Sequence, residues 1–261
     1  MLDADGLARR LLREHEQGEP FRPFAAANGA ASLADAYAIQ DRFVPLLQAK
    51  HGKPVGYKIG LTSQRMQQMC GIDSPIAGVV LTDRVHQSGA SVAISGYGRL
   101  GLEFEIAVRM ASDLPPQGAP FTAESVAGHV GGVCAAIEIV DDRAANYAEL
   151  DILSLVADNS WNAGIVLSEF RDSWPALDAV LGTVRSNGVE VDRGHGRDVL
   201  GHPFAPLAWL ANHLAAKGEA LRAGDIVMTG SLVTTRFPKT AEAYEFEIEG
   251  LGKVALSVTA G

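Results

Sequence analysis

The chain is poor in cysteine and has no long apolar run. Its two cysteines, Cys70 and Cys134, are far apart in a chain of 261 residues and form no Cys-x-x-Cys pair, which argues against a disulfide framework and a cysteine-rich zinc site. No stretch approaches the roughly 18 apolar residues of a membrane span, and the charged N-terminus lacks the apolar segment of a signal peptide. These absences predict a cytoplasmic protein with reduced cysteines.

Several functional motifs are missing as well. The formal net charge is −9 and no basic run is present, so nucleic acid is not an expected partner. The chain has no Gly-x-Ser-x-Gly motif and its histidines are scattered, so a serine hydrolase is unsupported. A Gly-x-Gly-x-x-Gly match at residues 96–101 precedes a predicted strand, whereas a dinucleotide fingerprint follows a strand and opens a helix. NAD binding is therefore rejected.

The front of the chain is predicted to be helical. Leucines at helical spacing predict a helix over residues 3–17 that Gly18 closes. Ser32 and Asp35 form a capping pattern for a second helix, which Pro45 should kink or end. Shorter helices are predicted over residues 64–69, 123–128, 147–157 and 204–216.

The rest of the chain consists of short apolar runs cut by Gly, Pro, Asp and Ser, a texture typical of mixed or antiparallel sheet. Strands are predicted over residues 56–61, 102–110, 135–140, 163–168, 183–191, 225–229, 243–249 and 253–259. Helices in front and strands behind indicate an α+β fold. We expect a helical segment over residues 1–50 and a β-rich catalytic domain over residues 51–261, packed as one unit.

Two acids interrupt the apolar run at residues 100–108. Because successive strand side chains point to opposite faces, Glu103 and Glu105 share one face about 7 Å apart, while Phe104 and Ile106 share the other. A half-buried pair of ionised carboxylates is costly unless protons, cations or a metal compensate it. The pair therefore suggests a divalent-cation site.

A third acid, Glu138, lies in the apolar run at residues 134–140. Three carboxylates on two strands, with no matching His or Cys, form a hard oxygen site that suits Mg²⁺ or Mn²⁺ better than Zn²⁺ or copper. The alternative is that each Glu faces solvent on an amphipathic strand, as we expect for Glu245, Glu247 and Glu249.

Other polar residues stand beside predicted strands. Lys58 lies between two glycines that leave space beside its amine, so it is a proton relay, a fixed cation for a substrate carboxylate, or a surface lysine. Gly230 and Ser231 can bring N–H groups and a hydroxyl to a bound anion, or form an ordinary turn. Asp158 and Asn159 follow a predicted helix, where they could be capping residues.

Seven blocks, spread in order over nearly the whole chain, match one group of enzymes. They are residues 35–40 (Asp-Ala-Tyr-Ala-Ile-Gln), 56–63 (Gly-Tyr-Lys-Ile-Gly-Leu-Thr-Ser), 103–105 (Glu-Phe-Glu), 137–141 (Ile-Glu-Ile-Val-Asp), 157–159 (Ala-Asp-Asn), 200–203 (Leu-Gly-His-Pro) with 209–212 (Trp-Leu-Ala-Asn), and 224–231 (Gly-Asp-Ile-Val-Met-Thr-Gly-Ser). In these blocks the chain resembles the 2-hydroxypenta-2,4-dienoate hydratases (2-keto-4-pentenoate hydratases) and the related 4-oxalocrotonate decarboxylases of the fumarylacetoacetate hydrolase superfamily.

The resemblance implies a mixed β-roll or sandwich with a helical N-terminal part. It also implies Mg²⁺ or Mn²⁺ held by Glu103, Glu105 and Glu138, a catalytic Lys58 that relays protons, and a pocket at Gly230 and Ser231, where Ser231 would hold substrate or orient water. The implied reaction adds water to a short 2-hydroxy-2,4-dienoate to give a 4-hydroxy-2-oxo acid in aromatic meta-cleavage catabolism. A closed homo-oligomer is the general expectation.

The chain departs from the family pattern after residues 157–159, where Ser160, Trp161 and Asn162 replace small residues. We expect Trp161 to reshape a substrate pocket to which Asp158 and Asn159 also contribute. The Asn-Asp-x-x-x-Arg-Asp segment of the hydrolase branch is missing, which disfavours carbon–carbon hydrolysis. Two alternatives stay open, namely decarboxylation of a 2-oxo-3-enedioate, with Arg65, Arg84 or Arg236 for the second carboxylate, and a metal-binding subunit without turnover that associates with a related hydratase or decarboxylase.

Overall fold

A computed structural model describes residues 2–261 of the chain, and its helices follow the predicted order. Within that range they are α1 (Ala4–Gln17), α2 (Leu33–His51), α3 (Gln64–Cys70), α4 (Ala123–Ala127), α5 (Ile152–Ala157) and α6 (Phe204–Ala216). The helix predicted over residues 147–157 is shorter than expected, because residues 147–149 form a separate 3₁₀ turn. None of the described helices is long and apolar enough to cross a bilayer.

The two N-terminal helices begin as predicted, but α2 does not end at Pro45. Asp3 caps α1, and Ser32 caps α2 by accepting a hydrogen bond from the Asp35 N–H. Pro45 neither ends nor divides α2, which continues to His51. Because Pro45 lies on the exposed face of the helix, water can satisfy the carbonyl that loses its helical partner.

Twelve strands in the described residues form two mixed sheets. They are β1 (Pro54–Gly60), β2 (Ile76–Leu81), β3 (Val85–Gln87), β4 (Ala90–Ala93), β5 (Leu100–Met110), β6 (Val130–Asp141), β7 (Asn162–Leu167), β8 (Leu181–Ser186), β9 (Val189–His195), β10 (Ile226–Ser231), β11 (Glu242–Ile248) and β12 (Gly252–Thr259). The larger sheet has the order β2-β1-β10-β5-β6-β7-β3, and the smaller has the order β4-β12-β11-β8-β9.

The strand predictions were right in most places and incomplete in others. The strand expected over residues 183–191 is a hairpin, β8 and β9, joined at Asn187 and Gly188. Strand β2 and the short strands β3 and β4 were not predicted. The β-rich mixed fold with a helical N-terminal part is confirmed.

The central strands β5 and β6 carry the largest part of the core. Phe104, Ile106, Ile137 and Ile139 are completely buried in the main apolar cluster, which also contacts the second sheet through Phe246. A separate cluster joins α1 to α2 and reaches Ala157 at the end of α5. The division into segments 1–50 and 51–261 stays a prediction.

Candidate functional site

Pairing between the central strands brings the three predicted glutamates together. Glu103 on β5 lies directly opposite Glu138 on β6, while Glu105 lies opposite Ser231 on β10. Carboxylate oxygens of all three glutamates lie within 4.8 Å of one another. Glu105 and Glu138 are completely buried, and Glu103 is half-buried. Glu138 on β6 therefore lies on the same face of the sheet as Glu103 and Glu105 on β5.

Each carboxylate is held by one hydrogen bond to one of its oxygens. The donors are the Thr235 hydroxyl to Glu103 at 2.7 Å, the Gly230 N–H to Glu105 at 2.7 Å, and the Asn162 amide to Glu138 at 2.9 Å. Oε1 of Glu105 and Oε2 of Glu138 are buried and have no hydrogen-bond partner among the described residues. Unpartnered buried oxygens are costly, so these two atoms lack a ligand or a proton.

The backbone at Gly230 depends on glycine. Its φ is +111°, and a Cβ there would lie 1.9 Å from the Thr62 hydroxyl oxygen. Glycine alone adopts this conformation without strain, and it brings the N–H within reach of Glu105. The N–H of Gly230 is thus used to hold the Glu105 carboxylate.

Burial and mutual repulsion raise the pKa values of the two buried acids. Burial is the largest cause for Glu105, followed by repulsion from Glu138 and Glu103, and its pKa lies well above its ordinary value. Burial also raises the pKa of Glu138, to about 7, although Lys58 opposes the shift. Without a cation, this group of acids holds protons at a pH where carboxyl groups are normally ionised.

Lys58 on β1 is buried beside the same acids. Its Nζ lies 3.4 Å from Oε1 of Glu138 and donates a hydrogen bond of 3.2 Å to the Ser160 carbonyl. Burial lowers the pKa of Lys58, but attraction to the three glutamates outweighs it, so the pKa is raised overall. A Cβ on Gly60 would lie 3.4 Å from Nζ, which leaves the space beside the amine that the glycine spacing predicted. Lys58 is therefore a buried lysine whose neighbours favour its charged form, not a surface lysine.

The chemistry of this donor set fits a hard divalent cation. When all three carboxylates are ionised, Lys58 balances only one of their three negative charges, and two buried oxygens lack partners. Carboxylate oxygens are the ligands that Mg²⁺ and Mn²⁺ prefer. Glu103, Glu105 and Glu138 could therefore hold such an ion.

The backbone between α5 and β7 has an unusual conformation. Asn159, Ser160 and Trp161 have φ angles of +50°, +50° and +60°, a region that residues other than glycine rarely adopt. This turn points the Ser160 carbonyl to Lys58 and the Asn162 amide to Glu138. Such strain persists where surrounding contacts enforce it, as at functional sites.

Two predicted substrate-binding residues lie elsewhere. Asp158 is completely buried and accepts hydrogen bonds of 2.6 Å from both His15 and Arg143. Burial raises the pKa of Asp158, but these two partners outweigh it and hold the pKa below its ordinary value. Asn159 bonds to both the N–H and the carbonyl of Val79 on β2. These contacts favour a structural role for both residues.

A cavity of about 610 Å³ opens beside the glutamates. Glu103 and the predicted residues Lys58, Ser231 and Trp161 line it, whereas Asp158, Asn159 and Gly230 do not. Trp161 is 6% exposed, and its Nε1 has no partner among the described residues. The Ser231 hydroxyl accepts from the Phe104 N–H at 3.0 Å, so part of its bonding capacity is already used.

Sequence patterns did not identify several residues of this site. The contacts of Thr235 and of the Ser160 carbonyl have no sequence signal, while Asn162 was visible only as part of the departure after residues 157–159. Among the arginines considered for a second carboxylate, Arg65 lines the cavity. Arg84 bonds to the Ala163 carbonyl and His51, and Arg236 bonds to Asp192 and the Val191 carbonyl.

Comparison with known proteins gives a consistent picture. Residues 57–259 match the family described as the fumarylacetoacetate (FAA) hydrolase C-terminal region. The chain is 33% identical over 259 residues to 2-keto-4-pentenoate hydratase of Burkholderia vietnamiensis, covering 97% of this chain and 96% of that protein. It is 29% identical over 255 residues to 2-hydroxyhexa-2,4-dienoate hydratase of Comamonas testosteroni, covering 96% of each.

Among solved structures, the chain resembles 4-oxalocrotonate decarboxylase from Pseudomonas putida G7, which was crystallised with magnesium and adipate. The TM-score is 0.89 with 26% sequence identity, and the match covers 98% of this chain and 97% of the decarboxylase. The similarity extends over the helical N-terminal part as well as the two sheets.

Proposed function

Because the chain belongs to the fumarylacetoacetate hydrolase family, we propose that it is a divalent-metal-dependent hydratase that adds water to a 2-hydroxy-2,4-dienoate. The relatives that match it over nearly full length are hydratases of this kind. The observation that carries the proposal is the group formed by Glu103, Glu105, Glu138 and Lys58 beside one cavity. The glutamates can hold a cation that would bind the acid group of the substrate, and Lys58 can transfer a proton to and from the substrate.

The three glutamates are the proposed ligands of Mg²⁺ or Mn²⁺. When bound, such an ion supplies Lewis-acid stabilisation of the negative charge that develops on a 2-oxo acid. Asn162, Thr235 and the Gly230 N–H hold the carboxylates in place, each through one hydrogen bond. Groups that orient ligands in this way tune metal sites strongly.

Lys58 is the proposed proton carrier. The net reaction moves the proton of the 2-hydroxyl to C5 of the diene, then adds the hydroxyl of water at C4 and its proton at C3. Because the neighbouring glutamates raise its pKa and favour its protonated form, Lys58 can donate a proton to carbon and recover one from the 2-hydroxyl. The product is a 4-hydroxy-2-oxo acid.

Trp161 and Ser231 are the proposed substrate-binding groups. The unpartnered indole N–H of Trp161 can donate to a substrate oxygen or to the attacking water. Ser231 retains a weak donor contact of 3.4 Å to the Phe104 carbonyl, which a substrate oxygen could replace. For Asp158 and Asn159 we propose structural roles in place of substrate binding.

The reaction is tested with purified protein and 2-hydroxypenta-2,4-dienoate. The ultraviolet absorbance of the diene should disappear in Mg²⁺ or Mn²⁺, and EDTA should stop the loss. No loss of absorbance with either metal contradicts the proposed hydratase function.

Decarboxylation of a 2-oxo-3-enedioate is the second candidate. Arg65 in the cavity and the structural similarity to a 4-oxalocrotonate decarboxylase favour it. Release of carbon dioxide from 4-oxalocrotonate, without hydration of the monocarboxylate, would select this function. Metal binding with turnover of neither substrate would instead indicate a non-catalytic partner subunit.

The proposed partners are the small-molecule acid and further copies of this chain. Closed homo-oligomers are the commonest assemblies of soluble enzymes. Light scattering coupled to gel filtration measures the assembly, and co-purification with a related hydratase or decarboxylase would indicate a mixed one. The cytoplasmic location stays a prediction.

A further inference from the structure

The cavity beside Glu103 is larger than a five-carbon substrate requires. Its volume of about 610 Å³ lies in the range of roughly 300–1,000 Å³ that drug-sized molecules occupy in proteins. Lys58 and Glu103 line the cavity, and the acid group of the substrate would bind beside them. The rest of the cavity can accommodate a substituent attached to the diene of the substrate.

The lining of the cavity as a whole is predominantly apolar. It includes Met66 from α3, Leu155 from α5, Leu150 ahead of α5, and the aromatic rings of Trp161 and Phe237. Leu155 and Trp161 are each only 6% exposed, so this wall is packed and not merely a surface hollow. An apolar group placed against it leaves water, which is favourable in proportion to the area buried.

The other charged residues that line the cavity either have a hydrogen-bond partner or are exposed to water. Asp192 accepts a hydrogen bond of 2.7 Å from Arg236, and Asp198 accepts one of 2.7 Å from the His195 N–H. Arg193 is bound to Glu190 at 2.7 Å. Arg65 is exposed, so its interaction with a ligand is screened by water. A second carboxylate on the substrate would therefore lose water without gaining a buried cation.

We propose that the substrate carries an uncharged apolar tail longer than a methyl group, bound against Met66, Leu155 and Trp161. This inference rests on the proposed dienoate chemistry and names its substrate class, an alkyl- or aryl-substituted 2-hydroxy-2,4-dienoate. A dicarboxylate of similar length is the alternative that the charge distribution disfavours.

A series of four substrates tests the tail directly. The probes are 2-hydroxypenta-2,4-dienoate, 2-hydroxyhexa-2,4-dienoate, 2-hydroxyocta-2,4-dienoate and 2-hydroxyhepta-2,4-diene-1,7-dioate, each assayed for kcat/KM with Mg²⁺. Each methylene that becomes buried should raise kcat/KM about fourfold. With all three added carbons buried, the octadienoate should exceed the pentadienoate about sixtyfold in kcat/KM, and the dioate should fall well below the octadienoate.

A variant pair places a charge inside or outside the cavity. Met66→Arg puts a cation on the apolar wall and should raise the kcat/KM ratio of dioate to octadienoate about tenfold. Gln68→Arg adds the same charge to the same helix at an exposed position that does not line the cavity, and it should leave the ratio unchanged. If both variants shift the ratio equally, the apolar wall does not decide tail specificity.

The outcomes separate this inference from the function on which it rests. If none of the four acids is hydrated, the proposed function fails and the tail inference fails with it. If the pentadienoate is hydrated but the octadienoate is a poorer substrate, or the dioate is the best, only the tail inference is overturned. The substrate series uses the unchanged protein, so the result stands even if Met66→Arg does not fold.

Discussion

The Asn162 amide lies 2.9 Å from Oε1 of Glu138 and donates to it, while Oε2 of the same carboxylate is buried without a partner. The first residue of β7 therefore decides which oxygen of Glu138 is available to a ligand. Ser160, two residues earlier, holds Lys58 through its carbonyl. One short segment thus orients both a proposed metal ligand, Glu138, and the proposed proton carrier, Lys58.

Replacing Asn162 should weaken metal binding without removing a ligand. Asn162→Ala removes the hydrogen bond that orients Glu138, and the Mg²⁺ affinity should fall roughly 10–100-fold, as for other groups that orient metal ligands. Isothermal titration calorimetry measures the affinity. Asn28→Ala, at an exposed position on the N-terminal part, is the matched control and should bind as the unaltered protein does. Equal affinities in both variants would argue against the orienting role.

Neutralising one proposed ligand should weaken metal binding without lowering the stability of the metal-free protein. Glu105→Gln keeps the shape but removes a buried charge, so the metal-free protein should be at least as stable as the unaltered protein. Its Mg²⁺ affinity should fall more than about 100-fold, because a ligand is lost and not merely its support. The exposed Glu249→Gln serves as control. Undiminished affinity in Glu105→Gln would remove Glu105 from the ligand set.

Lys58→Met should abolish turnover while retaining the metal. Loss of a general acid lowers kcat by about 10²–10⁴. Mg²⁺ affinity should be equal or higher, because a cation that competes for Glu138 is gone. Lys53→Met, at an exposed position just before β1, should retain full activity. A Lys58 variant with normal turnover would leave the lysine with only a structural role.

The metal-free protein should lose stability as the pH rises from about 4.5 to 7. The pKa of Glu138 is raised from its ordinary 4.5 to about 7 in the folded state, and that of Glu105 is raised too. A raised pKa contributes stability below the unfolded value, and this stability is lost as the pH passes the folded value.

Urea unfolding of EDTA-treated protein between pH 4.5 and pH 8 should show a decline of a few kcal/mol, which Glu138→Gln should reduce and Mg²⁺ should reverse at pH 7. A flat profile in the unaltered protein would contradict the raised pKa values.

Asp158→Asn should destabilise the fold and leave substrate binding unchanged. It leaves the buried Arg143 without its main counter-charge, and breaking such a pair costs about 3–5 kcal/mol. Urea unfolding measures the loss, and Asp172→Asn, at an exposed position, should cost little. If the Asp158→Asn protein instead shows a raised KM at normal stability, the result would support a substrate-binding role for Asp158.

Predictions from short sequence patterns were correct where interactions between neighbouring residues determine the structure. The alternation at residues 100–108 predicted that Glu103 and Glu105 share a face, and the cap formed by Ser32 and Asp35 predicted the start of α2. Pro45 shows the limit, because its effect on a helix depends on whether the freed carbonyl faces water. Strands β3 and β4, of three and four residues, were missed because such short strands depend on pairing with residues distant in the sequence.

The amino-acid sequence by itself determined the α+β composition, the order of the main elements and the residue types of a hard divalent-cation site. Tertiary structure decided which acids meet, since Glu138 reaches Glu103 only through the register of β5 and β6. It also decided that Asp158 turns to His15 and Arg143, because burial of a carboxylate demands partners that the fold brings from distant positions. Residue types follow from the sequence, whereas the distances between them follow from long-range strand pairing.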